Sequence, residues 1–98
     1  MAKRKIVWTE RAEWERKDIL EYWINRNKSK TFSLKLNKII REEIVNLAIN
    51  PEIGRLTEVK NVRLQIIRDY LLFYQISGNK IFILSIWDSR RNPKSFNL

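Results

Sequence analysis

The sequence predicts an α+β fold in which one strand and a helical hairpin precede a three-stranded antiparallel meander. Apolar residues recur at helical spacing over residues 10–49 and form strand-like apolar runs over residues 62–87. Pro51 and Gly54 stand between these two parts and mark a loop. Helices on one side of a mostly antiparallel sheet are the expected packing for this order of elements.

The first half of the chain predicts a short strand and two helices. Lys5–Trp8 is a strand candidate, and Thr9 can cap a first helix that extends to about Asn25. A second helix begins near Lys30, and Asn50-Pro51 ends it because proline disfavours helical geometry in the preceding residue. The short link between the helices predicts an antiparallel hairpin. The apolar stripes of the two helices are assigned to Ala12, Ile19, Leu20, Tyr22 and Trp23, and to Phe32, Leu36, Ile39, Ile40, Ile44, Leu47 and Ala48.

The second half of the chain predicts a loop and then three strands. Residues 51–61 read as loop. The strands are assigned to Val62–Gln65, Tyr70–Ser77 and Lys80–Trp87. With no internal repeat and no linker, residues 1–98 are expected to form a single domain.

The last two strands are joined by a two-residue turn at Gly78-Asn79. This turn places Leu72 opposite Ser85 and makes both faces of the hairpin apolar. The helices can cover only one face. The other face is either buried within the monomer, by the C-terminal tail or by sheet curvature, or it is covered by another chain. Both explanations stay open at this stage.

Composition excludes several classes of function. The chain has 98 residues and a formal charge of +9, with 20 Lys and Arg against 11 Asp and Glu. It has no cysteine and no histidine, which excludes disulfides, thiolate and imidazole catalysis, and the usual zinc sites. We expect no metal and no cofactor. Because the longest apolar stretch, around Tyr70–Tyr74, is too short to cross a bilayer, we expect a soluble cytoplasmic protein without membrane contact.

Four arginines in or after the meander are the candidates for contact with an anionic target. They are Arg63, Arg68, Arg90 and Arg91. Antiparallel strands bring alternate ends together, so we expect these guanidinium groups to converge at the rim of the sheet, where their planar forks suit phosphate oxygens. Plainer roles are a solvated turn for Arg68, a solubilising strand end for Arg63, and an ion pair with Asp88 for Arg90.

Five segments, in their order and spacing, match a known pattern. They are Lys5–Ala12, Asn50–Gly54, Val62-Arg63, Tyr70–Tyr74 and Ile86–Pro93. Through them the chain resembles the RelE/ParE superfamily, the toxins of bacterial type II toxin–antitoxin modules. The resemblance implies a β-α-α-β-β-β fold, inhibition of growth by the free toxin, and neutralisation by a cognate antitoxin.

The superfamily divides by target. RelE-like members cleave mRNA on the ribosome with a basic set on the sheet and a C-terminal tyrosine, and Arg63 with Arg90 or Arg91 match part of that set. Leu71 stands where RelE-like toxins have an arginine, and Phe96, which cannot transfer a proton, stands at the tyrosine position. ParE-like members inhibit DNA gyrase by binding it and have a long helical hairpin. We therefore predict a ParE-like gyrase inhibitor; a RelE-like ribonuclease and a non-catalytic nucleic-acid-binding module are the alternatives.

Overall fold

Two helices lie against one face of a five-stranded mixed sheet in the computed structural model, which describes residues 3–90. The elements are β1 (Lys5–Trp8), α1 (Glu10–Asn27), α2 (Thr31–Ile49), β2 (Arg55–Leu56), β3 (Val62–Ile67), β4 (Tyr70–Ser77) and β5 (Lys80–Asp88). The strand order is β1-β5-β4-β3-β2. Strand β1 pairs with β5 in parallel, and all other neighbours are antiparallel. The predicted α+β class is confirmed.

Helix α1 is capped as the sequence predicts. The extended Thr9 accepts a hydrogen bond from the Ala12 amide through its Oγ1, at 3.3 Å, and two acidic residues occupy the first turn. The same hydroxyl donates to the Ile83 carbonyl of β5 at 2.7 Å. Helix α1 ends where Lys28 adopts a left-handed conformation with φ of 54°. One residue therefore starts the helix and attaches it to the sheet.

The core lies between the helical hairpin and the facing side of β3, β4 and β5. Its largest fully buried side chains include Ile40 and Leu47 from α2 and Leu72, Tyr74 and Ile83 from the sheet. These positions recur at helical spacing on α2 and at alternate positions on β4, as the two periodicities require. The sheet face towards the helices is thus closed by the chain itself.

Two members of the predicted helical stripes do not enter the core. Tyr22 is 52% exposed and Phe32 is 41% exposed. Both rings contact Trp23 edge-on, with centroids 5.2 Å and 4.8 Å away. They form an aromatic cluster near the turn that joins the two helices.

The segment predicted as loop contains a further strand. Arg55 and Leu56 form β2, and they lie opposite Leu64 and Arg63 of β3. The sequence could not show this strand, since two residues are too few to display any period. The meander therefore has four strands rather than three, and β3 extends to Ile67, two residues further than predicted.

The predicted register of the last hairpin is correct near its turn and wrong beyond it. A bulge at Leu84 shifts the pairing by one residue, so Leu72 lies opposite Ile86 and not opposite Ser85. An inserted residue interrupts the ladder and leaves a backbone group in need of a new partner. Counting alternate residues from the turn cannot detect such an insertion.

A carboxylate of α1 supplies that partner. Glu15 accepts a hydrogen bond from the Ser85 hydroxyl at 2.8 Å and another from the Ile86 amide at 3.2 Å, both through Oε1. Ser85 is fully buried, so an unpaired hydroxyl there would be costly. The bulge and α1 are therefore held together by one side chain.

Candidate functional site

The structure separates two of the arginines that were expected to converge. Arg63 on β3 lies opposite Tyr74 of β4, whereas Arg90 follows Asp88, which lies opposite Tyr70. Four residues along a strand span about 13 Å, and β3 and β5 lie on opposite sides of β4, about 10 Å apart. The expectation that Arg63 and Arg90 meet at one rim is therefore not met.

Arg68 does lie at the same end of the sheet as Arg90. It occupies the two-residue turn between β3 and β4, next to Tyr70, whose opposite neighbour on β5 is Asp88. Arg91 lies outside the described residues. Of the four candidates, the structure thus brings Arg68 and Arg90 to one end and places Arg63 towards the other.

Arg63 is engaged by the loop before β2. Its Nη1 donates hydrogen bonds to the carbonyl oxygens of Gly54, at 2.7 Å, and Glu52, at 3.3 Å. Tyr74 holds the same loop, since its hydroxyl donates to the Pro51 carbonyl at 2.8 Å and accepts from the Gly54 amide at 2.9 Å. We call residues 51–54, with Arg63 and Tyr74, the loop clasp.

The loop clasp is a closed and tightly packed arrangement. A Cβ at Gly54 would collide with the Tyr74 hydroxyl and lie 2.9 Å from the Leu64 carbonyl oxygen, so only glycine fits. Burial raises the pKa of Tyr74, while the hydrogen bond from the Gly54 amide and the positive charge of Arg63 act in the opposite direction. The clasp gives Arg63 a structural role that the sequence did not indicate.

Arg90 has an internal partner as well. Its Nε and Nη2 bind the two carboxylate oxygens of Asp88, each at 3.0 Å, and its backbone amide donates to Oδ1 at 2.9 Å. The guanidinium carbon also lies 5.8 Å from the centre of the Trp23 ring. The hydrogen bond to Asp88 raises the pKa of Arg90 further above its usual range. The structure therefore shows the ion pair that was the plainer explanation for this residue.

Tyr70 forms the centre of this end of the sheet. Its hydroxyl accepts a hydrogen bond from Trp23 Nε1 at 2.7 Å, which ties α1 to β4. Burial is the main cause of a raised pKa for Tyr70; the Trp23 hydrogen bond lowers it, Asp88 and Asp69 raise it, and Arg90 lowers it. Tyr70 is therefore a buried tyrosine with both acidic and basic side chains near its hydroxyl.

A groove of about 240 Å³ opens beside Tyr70, between the helical hairpin and the β3–β4 turn. We call it the rim groove. Its apolar part is formed mainly by Trp23, Phe32, Ile39 and Tyr70, and its charged part by two cations, Lys35 and Arg68, and one carboxylate, Asp69. Both cations are exposed, and neither forms a hydrogen bond or ion pair with any of residues 3–90. The rim groove is suited to an apolar group that carries an anion beside it.

Arg68 stands at a turn position that glycine or asparagine would occupy more easily. Its φ is 56°, in the left-handed region, which costs most residues about 1 kcal/mol. Lys35 was missed by the sequence analysis, because helical periodicity gives the face of a residue but not what lies across from it. The juxtaposition of the two cations exists only in the folded chain.

The described residues lack two further kinds of feature, a metal-binding cluster and a membrane-spanning helix. No group of three or more Asp or Glu side chains in residues 3–90 could hold a metal ion. None of the helices in this part of the chain is long and apolar enough to cross a membrane.

Comparison with known proteins agrees with the fold and identifies the family. The comparison with curated proteins gives no match. The chain is similar in structure to a protein of the chromosomal ParDE TA system from P. aeruginosa, with a TM-score of 0.76 and 23% identity over 88% of this chain and 96% of that chain. The family described as the ParE toxin of type II toxin-antitoxin system, parDE, matches residues 6–93. The chain therefore belongs to the ParE toxins of type II toxin–antitoxin systems.

Proposed function

We propose that the chain inhibits DNA gyrase by binding it and is neutralised by a cognate antitoxin. The observation that carries this proposal is the match to the ParE toxin family, which extends from β1 to a point beyond the end of β5. The match includes the helical hairpin and, apart from Lys5, all strands of residues 3–90, so it is not limited to one motif. Inhibition of gyrase is the activity that the ParE resemblance implies.

Inhibition by binding also suits the side chains at the rim. Arg63 and Arg90 are occupied by loop carbonyls and by Asp88, and they lie at different ends of the sheet. Leu71 faces Trp87 across the strands, where a basic side chain would be needed for ribonuclease chemistry of the RelE kind. A nuclease needs charged groups converging on one phosphate, and here they are dispersed.

The target contact that we propose is the rim groove, with Arg68 at its mouth. Arg68 is exposed and unpaired among residues 3–90, unlike Arg63 and Arg90. Lys35 adds a second cation across the groove. An acidic side chain next to an apolar one on the target would satisfy both parts of the groove, with the charges guiding its approach. Arg91, outside the described residues, remains a proposed member of this contact.

For the antitoxin we propose a different surface, at the β2 edge of the sheet. A groove of about 780 Å³ lies there, lined by Arg55, Leu56, Val59, Leu64 and Phe73 among others. Leu56 is 67% exposed and Val59 is 48% exposed, so the groove presents apolar surface, and one cation, Arg55, and one carboxylate, Glu58, lie beside it. An amphipathic antitoxin segment would bury this apolar surface and pair with the charges at its border.

The test is induced expression in bacteria with DNA and protein synthesis followed separately by pulse labelling, together with a supercoiling assay using purified gyrase. We expect DNA synthesis to fall first and supercoiling to be inhibited by the purified chain. Early loss of translation with intact replication would contradict the proposal and favour the ribosomal ribonuclease. Normal growth with uninhibited gyrase would show that this chain keeps the fold without the activity.

Two matched variants test the contact residue. Arg68→Asn removes the cation and suits the left-handed backbone, so the inhibition constant for gyrase should rise at least about tenfold while the fold is retained. Lys60→Asn removes one exposed charge outside both grooves and should leave inhibition unchanged. Equal loss in the two variants would mean that inhibition depends on net charge and not on the rim groove.

A further inference from the structure

The longest stretch of the described chain that has basic but no acidic side chains lies on the helical hairpin and not at the sheet rim. Residues 28–41 contain five basic side chains and no acidic one. The five are Lys28, Lys30, Lys35, Lys38 and Arg41, and all of them are exposed. We call this set the α2 basic face. The next acidic residues, Glu42 and Glu43, follow it directly and limit it on that side.

Three members of the α2 basic face point away from the core. Leu36 and Ile40 are buried against the sheet. At 100° per residue, the three cations turn through about 120° on the solvent side of the helix, from Lys35 at the edge of the rim groove through Lys38 to Arg41, and span about 9 Å along the axis. Lys28 and Lys30 precede the helix, in the turn between α1 and α2, so they adjoin these three cations without continuing their helical spacing. The result is a band of exposed cations along α2 and the turn before it.

None of these five cations is neutralised within residues 3–90. No side-chain hydrogen bond or ion pair of the described chain involves any of them. The cations elsewhere are treated differently: Arg16 pairs with Glu13 at 2.7 Å, Arg63 binds loop carbonyls, and Arg90 binds Asp88. Several arginines elsewhere therefore have internal partners, whereas no side chain of this face has one in the described chain.

The charges of α2 also oppose the stability of the helix. Helix α1 has acidic residues in its first turn and Arg26 in its last, which suits the helix dipole. Helix α2 begins at Lys30 without a side-chain cap, has no acidic residue in its first turn, and has no basic residue in its last. Its cations stand three residues apart, where like charges repel. Helix formation does not account for this pattern, so an external anion is the better explanation.

We propose that the α2 basic face binds the phosphate backbone of duplex DNA. Between Leu34 and Val45 the exposed residues of α2 are Lys35, Lys38, Arg41 and Glu42, so three of the four are cations. Exposed cations on one rigid helix suit the closely spaced phosphates of a duplex, and such binding is independent of base sequence. This inference does not depend on the gyrase proposal, although an inhibitor of a DNA-bound enzyme would gain affinity from it.

The experiment measures binding of the purified full chain to a 20-base-pair duplex of arbitrary sequence by fluorescence anisotropy at several salt concentrations. The test variant is Lys35→Gln, Lys38→Gln and Arg41→Gln together. The control variant removes the same charge from the sheet side, with Lys5→Gln, Lys60→Gln and Lys80→Gln. These three control lysines are also exposed and unpaired among the described residues.

We expect the test variant to bind roughly 10- to 100-fold more weakly at 100 mM salt, with a log–log salt slope shallower by about 3 units. The control should lose far less on both measures. Glutamine is a good helix former and removes like-charge repulsion, so the test variant should melt at the same temperature or higher. A loss of affinity without a loss of stability would support the proposal.

Three results would overturn it. Unchanged binding by the test variant would remove the α2 basic face from any role with DNA. Equal weakening in the test and control variants would mean that duplex binding depends on net charge and not on the α2 basic face. Binding of a poly-glutamate peptide, in the absence of duplex binding, would make the partner of this face an acidic protein instead of a nucleic acid.

Discussion

Tyr74 and Tyr70 occupy the same face of β4, four residues apart, and their hydroxyls have different surroundings. The Tyr74 hydroxyl makes two hydrogen bonds to the backbone of residues 51–54, and Arg63 closes the same loop. The Tyr70 hydroxyl accepts one hydrogen bond from Trp23 and lies beside the rim groove. The loop of residues 51–54 covers β4 at Tyr74, whereas a groove opens beside Tyr70. The position of an arginine at one end of the sheet therefore does not indicate its role until its hydrogen-bond partners are known.

The largest effect that would test this comparison is expected from Gly54→Ala. The new Cβ would collide with the Tyr74 hydroxyl and would meet a backbone oxygen, which cannot move away easily. We expect the free energy of unfolding, measured by denaturant titration, to fall by about 3 kcal/mol. Gly78→Ala is the control: it meets open space and should cost only about 1 kcal/mol through its positive φ. Similar losses in both variants would show that the loop clasp is loose.

Removing the two hydroxyls should have unequal effects. Tyr74→Phe leaves the Gly54 amide and the Pro51 carbonyl without their buried partner, and we expect a loss of about 2 kcal/mol in unfolding free energy. Tyr70→Phe leaves only the Trp23 N–H unpaired, at a partly buried site, and should cost about 1 kcal/mol. Thermal or denaturant unfolding of the two variants measures the difference. A larger loss for Tyr70→Phe would reverse the comparison.

The contribution of the same two tyrosines to stability should depend on pH in the alkaline range. The pKa of each is raised in the folded chain, mainly by burial, so the folded state keeps these protons when the unfolded state has begun to lose them. Their contribution to stability is therefore complete below about pH 10, the ordinary tyrosine pKa, and decreases as pH rises towards the folded-state pKa. Between pH 9 and 11, the free energy of unfolding measured by denaturant titration should fall less steeply for Tyr74→Phe than for the unmodified chain. Parallel curves would contradict this linkage.

The smallest effects on stability are expected from the arginines. Arg63→Gln loses hydrogen bonds to two carbonyls of the loop clasp and should cost about 1 kcal/mol because the site is partly exposed. Arg68→Asn should gain about 0.5 kcal/mol by suiting the left-handed turn. The two variants can be compared by their denaturation midpoints. A loss of stability with Arg68→Asn would mean that its side chain supports the rim groove.

Much of the fold was predictable because it rests on local signals. The Thr9 cap, the Pro51 stop and the Gly78 turn each act within a few residues, and the structure has all three. Strand β2 and the bulge at Leu84 were not predictable. Two residues have no period, and an inserted residue is defined only by the strand opposite to it.

The site was less predictable than the fold, because partners decide what a charged side chain does. Arg63, Arg68 and Arg90 look equivalent in the sequence, yet two of them are bound internally and one is exposed without a partner in the described chain. Arg63 is bound by the carbonyls of Glu52 and Gly54, and Arg90 is bound by Asp88. The two carbonyls come close to Arg63 only because β2, which follows them, pairs with β3. Position in the sequence identified the candidates, and only tertiary structure could sort them.

The parallel pairing of β1 with β5 determines when the domain can be completed during synthesis. Lys5 lies beside Lys80, so 75 residues must be made after the first strand before its neighbour exists. At ordinary rates of translation this takes roughly 4–15 s, whereas the helical hairpin can form as soon as it emerges. The hydrogen bond from the Thr9 hydroxyl to the Ile83 carbonyl likewise cannot form until Ile83 has been synthesised. Ribosomes that stall within the meander therefore carry a helical hairpin with an unpaired first strand, and the sheet closes only after β5 has been released.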